Sequence, residues 1–304
     1  MTTELPYTEA WLEGPQSTLF YTRTFTCEQP KAAVVFVHGF AEHVGRYDHI
    51  HHQYPEHGIG LFTYDQRGFG RTALDKNHSK TSAWGKTSWK NQMEDIEWAL
   101  AQAKEKFPGV PVFLMGHSMG GGEVLGYATD KTRDTSALAG IIATSPLIQQ
   151  TKPASKLLRW IGGKASTLSP YTVIPVELNV DDLSHDPKFN EAYAKDPLIK
   201  ASGSLRGVSD MLSKGDELHQ RLYQDWPKNL PVLFVHGTGD KITSYEATQA
   251  FHDKISAEDK KIVPIDGGYH ELQNEPDGVK DQLVNEVFAF IDSHLPQAPA
   301  LAKM

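Results

Sequence analysis

Short apolar runs alternate with amphipathic helical patterns along most of this chain, and this alternation is the strongest constraint on its fold. The runs are rich in β-branched residues, have the length of buried strands, and lie at 32–37, 59–64, 112–115, 140–143, 231–235 and 261–265. Strands that read as continuous apolar runs and are separated by helices form a mostly parallel sheet. We therefore predict an α/β fold with a mostly parallel central sheet and helices on both of its faces.

The segment 147–226 interrupts this alternation. It contains several prolines and glycines, a helical pattern that includes Val208 and Met211, and no clear core strand. We predict that it is a helical cap inserted between two parts of the core, 1–146 and 227–304. A cap in this position would cover the carboxyl edge of the sheet, where open α/β sheets bind their ligands.

The charge and the cysteine content exclude several classes of protein. Lys and Arg number 30 against 38 Asp and Glu, a formal net charge of −8 without any basic run, which disfavours nucleic-acid binding. Cys27 is the only cysteine, so an intrachain disulfide and a cysteine-based zinc site are excluded. Residues 1–20 lack the regions of a signal peptide, and no apolar run is long enough for a transmembrane helix. We expect a cytoplasmic protein.

The segment 116–120 reads Gly-His-Ser-Met-Gly, a G-x-S-x-G pattern. Alone it is weak, because it also occurs by chance and fits a Gly-rich packing turn in which the serine only caps a helix. Here it follows the apolar run at 112–115 and precedes a helical pattern at 121–129, which is the strand–turn–helix context of a nucleophile elbow. The glycines let the backbone turn sharply and approach its neighbours closely. We predict that Ser118 is a nucleophile.

A serine hydroxyl needs a base to remove its proton, and the base needs an acid that fixes its tautomer. Asp240 and His270 each come directly after one of the last two apolar runs, in the chain order acid, then histidine. A turn aspartate and an exposed loop histidine are the plain alternatives. Asp65 also ends a strand but precedes Ser118, so we predict that Asp240 is the acid and His270 the base.

Acyl transfer at a serine also needs hydrogen-bond donors for the oxyanion of the tetrahedral intermediate. The amide of Met119 is one candidate, because it follows the nucleophile at the start of a helix. The amide of Phe40 is the second, because it follows the first buried strand and the dipeptide His38-Gly39. The alternative for that segment is a simple exit from the strand into a helix. We predict that Phe40 and Met119 form an oxyanion hole.

Four histidines lie close together in the chain, at positions 49, 51, 52 and 57. No carboxylate or cysteine pattern accompanies them, and on a helix their side chains would not converge on a metal ion. We interpret them as a solvated helix face and expect neither a metal nor a cofactor.

Several segments together resemble the monoacylglycerol lipases, and the fungal monoglyceride lipases most closely. They read His-Gly-Phe-Ala-Glu-His-Val-Gly-Arg-Tyr at 38–47, Gly-His-Ser-Met-Gly-Gly at 116–121, Ser-Pro-Leu-Ile at 145–148, Asp-Pro-Leu-Ile at 196–199 and Gly-Tyr-His at 268–270. The resemblance implies the α/β-hydrolase fold, a helical cap, and cleavage of monoacylglycerols to fatty acid and glycerol. It places the catalytic triad on Ser118, Asp240 and His270. It places the oxyanion amides on Phe40 and Met119.

The same resemblance implies a polar pocket for the glycerol head group, formed by Glu42, Arg46, His117 and, in the cap, Tyr193. Glu42 and Arg46 lie one helical turn apart and can pair while they bond a hydroxyl-bearing group. Their alternative is an ordinary surface ion pair, and that of His117 is a packed neighbour without substrate contact. Phe40 stands where the mammalian members have alanine, which implies a narrower entrance to the acyl pocket.

The cap segment also carries an apolar cluster of Leu157, Leu158, Trp160 and Ile161. On an interfacial helix these side chains would enter a lipid surface; alternatively, they pack within the cap. We expect a monoacylglycerol as the lipid substrate, and peripheral contact with a membrane or a lipid droplet through this cluster.

Other functions are compatible with the same fold. A proline-type aminopeptidase would need cap carboxylates to hold the substrate ammonium, and the cap contains Glu177, Asp181, Asp182 and Glu191. A general carboxylesterase would use the same nucleophile. A catalytically silent binding protein is disfavoured because no triad residue is lost. Dehalogenases and epoxide hydrolases are disfavoured because their nucleophile is an aspartate where Ser118 stands. The sequence favours a serine hydrolase of carboxylic esters.

Overall fold

The computed structural model describes residues 5–153 and 163–296. Its strands are β1 (Thr8–Gly14), β2 (Thr18–Phe25), β3 (Ala32–Val37), β4 (Ile59–Tyr64), β5 (Val112–His117), β6 (Leu138–Thr144), β7 (Val173–Pro175), β8 (Ser202–Ser204), β9 (Val232–Gly237) and β10 (Lys260–Ile265). Eight of them form one sheet in the spatial order β1, β2, β4, β3, β5, β6, β9, β10. Only the pairings of β2 with β1 and β4 are antiparallel, and the others are parallel. The predicted α/β fold with a mostly parallel sheet is confirmed.

The helices of the described residues surround this sheet. They are α1 (Asp48–His51), α2 (Gln53–Glu56), α3 (Gly70–Leu74), α4 (Trp89–Lys106), α5 (Met119–Thr129), α6 (Pro187–Lys195), α7 (Leu205–Gln220), α8 (Tyr245–Lys254) and α9 (Val279–Ser293), and residues 163–168 are also helical. The longest, α4, starts where the Ser88 side chain accepts the Asn91 amide at 3.3 Å, and it ends just before Pro108. The N-cap and the proline thus set its length.

The central strands are buried on both faces, which explains their continuous apolar sequences. Alternate residues point to opposite sides of the sheet. Val35 packs in the cluster that contains Ile96 of α4, whereas its neighbour Val34 packs in the cluster that contains Ile291 of α9. Burial of one such aliphatic side chain contributes about 1.5–3 kcal/mol, so these two layers hold the carboxyl ends of the strands in place.

Two strands, β1 and β2, were not among the predicted strands. They form an antiparallel hairpin at the edge of the sheet, and β1 is only partly buried. β2 is nearly all buried, but it contains Thr22, Arg23 and Thr24 rather than an apolar run. Arg23 is tolerated there because its guanidinium is paired with Asp48. A strand whose polar side chains are paired with neighbouring residues lacks the continuous apolar run from which the other strands were predicted.

The segment 147–226 contributes no strand to the central sheet within its described residues. Its strands β7 and β8 form a separate antiparallel pair, which the sequence pattern did not predict. Helix α7 packs against α5 and places Leu218 in the main core. The division of the chain at residues 147 and 226 therefore stays a prediction. The apolar cluster of Leu157, Leu158, Trp160 and Ile161 lies outside the described residues.

Across 5–153 and 163–296, no helix combines the length and the apolar character that crossing a bilayer requires.

Candidate active site

Ser118 lies in a sharp turn between strand β5 and helix α5. Its backbone has φ 56° and ψ −118°, a left-handed conformation that costs about 1–3 kcal/mol in a non-glycine residue and is typical of functional sites. A Cβ on Gly116 would collide with the carbonyl oxygen of Gly120, and one on Gly120 would collide with that of Val37. Glycines at both positions are thus required for this turn, which places Ser118 in the lining of a cavity.

The imidazole of His270 bonds to Ser118 on one side and to Asp240 on the other. Its Nε2 lies 2.9 Å from Ser118 Oγ, and its Nδ1 lies 2.7 Å from Asp240 Oδ2. An ionised carboxylate only accepts hydrogen bonds, so the imidazole proton is on Nδ1. The lone pair of Nε2 therefore faces the serine hydroxyl, as base catalysis requires.

Asp240 is held as a carboxylate by several donors. Its Oδ1 accepts the amides of Ile242 at 2.7 Å and Thr243 at 2.9 Å, and its Oδ2 accepts the Thr243 hydroxyl at 2.8 Å. His236 Nε2 lies 3.2 Å from Oδ2. Burial raises the pKa of Asp240, but the charges and hydrogen bonds of His270 and His236 outweigh it and lower the pKa well below its ordinary value.

The two neighbouring histidines of the site have opposite pKa shifts. Burial lowers the pKa of His270, but the charge and hydrogen bond of Asp240 more than offset it and leave the pKa above its ordinary value. Burial and the nearby His270 lower the pKa of His117 to about 4. His117 is thus neutral near pH 7, with Nδ1 3.1 Å from Thr144 Oγ1 and its ring centroid 5.0 Å from that of His270.

Glu42 and Arg46 form a buried charge network and not a surface ion pair. Arg46 Nη1 lies 2.7 Å from Glu42 Oε2, and the two guanidinium nitrogens lie 2.6 and 2.7 Å from the carboxylate oxygens of Glu271. The side chains of Arg46 and Glu42 are 8% and 4% exposed. The Arg46 guanidinium also lies 4.7 Å from the ring centroid of Tyr193 in the cap segment.

A cavity of about 90 Å³ has Ser118 in its lining. Its polar lining includes Glu42, Arg46, His117, Gln150, Glu177, Tyr193, Thr243, His270 and Glu271. Its apolar wall includes Phe40, Ala41, Leu147, Val176, Leu178, Leu183, Met211 and Ile242. A lining that combines polar and apolar side chains around a serine suits an amphiphilic ester.

The structure brings all nine predicted site residues to this place. Ser118, His270 and Asp240 are bonded in series. Phe40, Glu42, Arg46, His117 and Tyr193 line the cavity with Ser118, and Met119 follows Ser118 at the first position of α5. Sequence reasoning missed Glu271, Thr243 and His236. The only signal for Glu271 was that it directly follows His270.

Asp65, the rival acid, lies elsewhere and has other partners. It is fully buried, and its two oxygens accept the amides of Val44 at 2.8 Å and Arg71 at 2.6 Å. It therefore links the segment after β3 to helix α3 and does not bond to His270.

The four clustered histidines do not converge. His49 bonds to the Gln273 carbonyl, His52 to the Asp48 carbonyl and His57 to Asp292, and His51 is buried among aromatic rings. Among residues 5–153 and 163–296, no three His, Cys, Asp or Glu side chains come together in a way that would hold a metal ion. His51 is therefore buried, and the prediction that all four histidines lie on a solvated helix face is wrong for this residue.

Comparison with known proteins gives consistent matches over nearly the whole chain. The Hydrolase_4 family, described as serine aminopeptidase, S33, matches residues 28–277. A Schizosaccharomyces pombe protein, provisionally named a monoglyceride lipase, is 32% identical over 281 residues, which cover 90% of this chain and 71% of that protein. A monoacylglycerol lipase of Mycolicibacterium smegmatis is 29% identical over 268 residues, or 88% of this chain and 90% of that protein.

A solved structure gives the same picture of the fold. The crystal structure of a soluble variant of the Saccharomyces cerevisiae monoglyceride lipase, in complex with a substrate analog, has a TM-score of 0.83 and 24% identity to this chain. The match covers 98% of this chain and 97% of that one. This likeness places the chain among the α/β-hydrolases by fold.

Proposed function

The chain belongs to the Hydrolase_4 family and, within it, to the monoglyceride lipases, and from this premise we propose that it hydrolyses monoacylglycerols to fatty acid and glycerol. The observation that carries the proposal is the series of two hydrogen bonds from Ser118 through His270 to Asp240. The relatives named monoglyceride lipase supply the substrate class. The cavity with its polar and apolar walls supports the same amphiphilic substrate.

In the first half of the proposed reaction, Ser118 attacks the ester carbonyl. His270 Nε2 takes the hydroxyl proton as the new bond from Oγ to the carbonyl carbon forms. The amides of Phe40 and Met119 would stabilise the oxyanion. When the carbon–oxygen bond to glycerol breaks, His270 returns the proton to the glycerol oxygen. Glycerol leaves, and the acyl group stays on Ser118.

In the second half, water replaces glycerol. His270 Nε2 takes a proton from the water as its oxygen attacks the acyl carbon. When this tetrahedral intermediate collapses, the bond to Ser118 Oγ breaks and His270 returns the proton to Oγ. The fatty acid leaves, and atoms and protons balance over the two halves. Asp240 stays ionised throughout and stabilises the imidazolium that forms twice.

The glycerol head group would lie against the polar wall of the cavity. Tyr193 stays protonated because burial raises its pKa, so its hydroxyl can donate to a glycerol oxygen. His117 is neutral and presents a ring nitrogen without a charge. Glu42 and Arg46 complete this wall, although their polar atoms also bond to each other. Phe40 belongs to the apolar lining of the cavity, along which we expect the acyl chain to lie.

An aminopeptidase of the same family is the alternative that the cavity tests. Of the four cap carboxylates, only Glu177 lines the cavity. Asp182 is paired with Lys241 at 3.4 Å, and Glu191 with Lys195. No second cap carboxylate of the described residues therefore lies beside Glu177 in the cavity lining, and the other two carboxylates of that lining, Glu42 and Glu271, are bonded to Arg46.

A substrate panel tests the proposed function. We expect kcat/KM for a monoacylglycerol to exceed that for amino-acid and prolyl arylamides by at least about 100-fold, because Glu177 is the one cap carboxylate in the described cavity lining and Glu42 and Glu271 are bonded to Arg46. Initial rates of glycerol and arylamine release measure the two reactions. Arylamide hydrolysis at the higher rate would contradict the proposal and favour the aminopeptidase. Hydrolysis of short soluble esters alone would favour a general carboxylesterase.

We further propose that the cap segment contacts lipid surfaces peripherally. Of the four exposed large apolar side chains in the described residues, three lie within six positions of each other: Leu168, Tyr171 and Val173, which are 88%, 49% and 46% exposed. Strand β7 then leads directly to Val176, which lines the cavity. Exposed apolar side chains that precede a cavity residue in the chain suit the transfer of an amphiphile from a membrane or a lipid droplet.

The double variant Leu168→Asp/Tyr171→Asp tests this contact. On a lipid surface these two apolar side chains would be buried among the lipids, and the variant replaces both with charged ones. Partitioning to phosphatidylcholine vesicles is therefore expected to weaken at least about tenfold, while turnover of a short soluble ester stays within about twofold. Vesicle flotation and ester assays measure the two. Leu5→Asp is the matched control, because Leu5 is 60% exposed but lies outside the cap. Equal partitioning of the wild type and the double variant would contradict the proposal.

A further inference from the structure

Glu271 has no role in the proposed reaction, yet it is almost completely buried beside His270. Its carboxylate accepts hydrogen bonds from both terminal nitrogens of the Arg46 guanidinium, at 2.6 and 2.7 Å. The side-chain amide of Asn274 also donates a hydrogen bond to the Glu271 carboxylate, at 2.5 Å. A bidentate contact of this kind fixes the guanidinium plane as well as its position. Glu271 therefore determines where Arg46 lies.

Arg46 transmits this position to the loop after strand β3. Its Nη1 also donates to Glu42 Oε2 at 2.7 Å, and the other oxygen of Glu42 accepts the Gly39 amide at 2.5 Å and the Tyr47 hydroxyl at 2.6 Å. A Cβ built on Gly39 would lie 2.5 Å from Glu42 Oε1 and 3.2 Å from the Cβ of Ser118. The Gly39 backbone is therefore held between the Glu42 carboxylate and the nucleophile.

The peptide bond between Gly39 and Phe40 is fixed separately, by the side chain of His38. The Gln66 amide donates to His38 Nε2 at 2.8 Å, so the ring proton is on Nδ1, which lies 2.7 Å from the Gly39 carbonyl oxygen. In a trans peptide the N–H points opposite to the C=O. The direction of the Phe40 N–H is thus set by this bond, and its position by the Glu42 bond to the preceding peptide.

The network also carries an uncompensated charge. Two carboxylates, Glu42 and Glu271, share one guanidinium, which leaves one net negative charge buried near His270. Despite burial, Arg46 lowers the pKa of Glu42 to about 2 and also lowers that of Glu271, so both stay ionised. A buried negative charge near an imidazole favours the imidazolium form.

We propose that Glu271 is a positioning residue of this enzyme, which acts through Arg46 and Glu42 to hold the Gly39–Phe40 backbone beside Ser118 and which stabilises the positive charge on His270. The proposal rests on the function proposed above and adds a residue to the same site. It differs from a head-group role, because it predicts an effect on esters that lack glycerol. It differs from a purely structural role, because it predicts an effect on the ionisation of His270.

The variant Glu271→Gln separates these roles. The amide keeps the volume but loses the charge and one acceptor, so we expect kcat to fall about 10- to 100-fold on both a monoacylglycerol and the p-nitrophenyl ester of the same acid, with KM changed less than about threefold. A KM increase confined to the glyceryl ester would contradict positioning and indicate head-group binding. Wild-type kcat on both esters would contradict the proposal outright.

The pH profile supplies the second readout. The base must be neutral, so wild-type kcat/KM rises with pH through the pKa of His270, which lies above its ordinary value. Removing the Glu271 charge lowers this pKa, and the acid limb of Glu271→Gln is expected to move to lower pH. Glu271→Asp restores the charge and should return the limb toward the wild-type position. A limb that does not move in either variant would contradict the charge role.

Glu275→Gln is the matched control for a buried carboxylate on the same segment. Glu275 is also buried but bonds to the amide and ring of His185 at 2.9 and 2.7 Å, not to Arg46. We expect wild-type kcat and an unmoved acid limb of the pH profile for Glu275→Gln.

The two proposals fail in different ways. A wild type that hydrolyses no ester would refute the proposed function itself, whereas an active wild type with an unaltered Glu271→Gln variant would refute only the positioning role. If Glu271→Gln does not fold, Glu271→Asp decides by kcat, with loss of at least about fivefold expected.

Discussion

Replacing Ser118 with alanine is expected to lower the turnover of a monoacylglycerol by about 10⁴-fold or more, to the level of residual catalysis by the oxyanion hole and binding alone. The substitution removes only Oγ, which lies 2.9 Å from His270 Nε2, so the acyl-enzyme cannot form. Alanine tolerates the φ of 56° as well as serine does, and the fold should persist. Initial rates of glycerol release measure the loss, and circular dichroism checks the fold.

Ser145→Ala is a control at the same edge of the sheet. Ser145 is buried just after β6, also has a positive φ of 42°, and its hydroxyl has no hydrogen-bond partner among the described residues. We expect turnover within about threefold of the wild type. A fluorophosphonate should label wild type and Ser145→Ala but not Ser118→Ala, as mass spectrometry would detect. Turnover or labelling that persists in Ser118→Ala would refute the nucleophile.

The fold was predictable to the extent that it depends on burial of apolar strands. Strands β3, β4, β5 and β9 are buried at every position, and a strand without a polar face has a continuous apolar sequence. The hairpin of β1 and β2 was missed because its buried polar residues depend on partners distant in the chain. The Arg23 guanidinium, for example, is neutralised by Asp48, 25 positions away.

The convergence of three distant residues was predictable for a topological reason. The carboxyl ends of parallel strands meet at one edge of a sheet, so side chains that follow β5, β9 and β10 come together whatever their separation in sequence. Ser118, Asp240 and His270 each follow one of these strands. No comparable rule predicts side-chain networks. Arg46 and Glu271 are 225 positions apart, and neither lies in a periodic pattern that would pair them.

The Glu42–Arg46 pair shows how a third partner changes an interpretation. The i,i+4 spacing in the sequence allowed a surface ion pair, which contributes at most about 1 kcal/mol. In the structure Glu271 adds two hydrogen bonds to Arg46, and the Gly39 amide and the Tyr47 hydroxyl donate to Glu42, and this allows the pair to be buried. Removal of one member of such a pair leaves an uncompensated buried charge. The sequence supplied the pair but not the reason for its burial.

Replacing Asp240 with asparagine is expected to lower kcat by about 10⁴-fold, because the structure predicts which way the amide will face. The Oδ1 position accepts two backbone amides, from Ile242 and Thr243, so the asparagine oxygen belongs there and the NH₂ group takes the Oδ2 position. That group would then donate to His270 Nδ1 and move the imidazole proton to Nε2. An Nε2–H cannot accept the Ser118 proton, so the base is lost while the fold is retained.

Asp65→Asn distinguishes this effect from general damage to a buried carboxylate. Both oxygens of Asp65 accept backbone amides, from Val44 and Arg71, so an NH₂ group in either position faces an N–H donor. We expect a loss of about 1–3 kcal/mol in the free energy of unfolding with kcat near the wild-type value. Urea unfolding and steady-state kinetics of both variants decide between the two acids. If folded Asp65→Asn lost turnover while Asp240→Asn kept it, the assignment of the acid would be reversed. The shift of the imidazole proton to Nε2 is expected only when the carboxylate that contacts His270 is replaced.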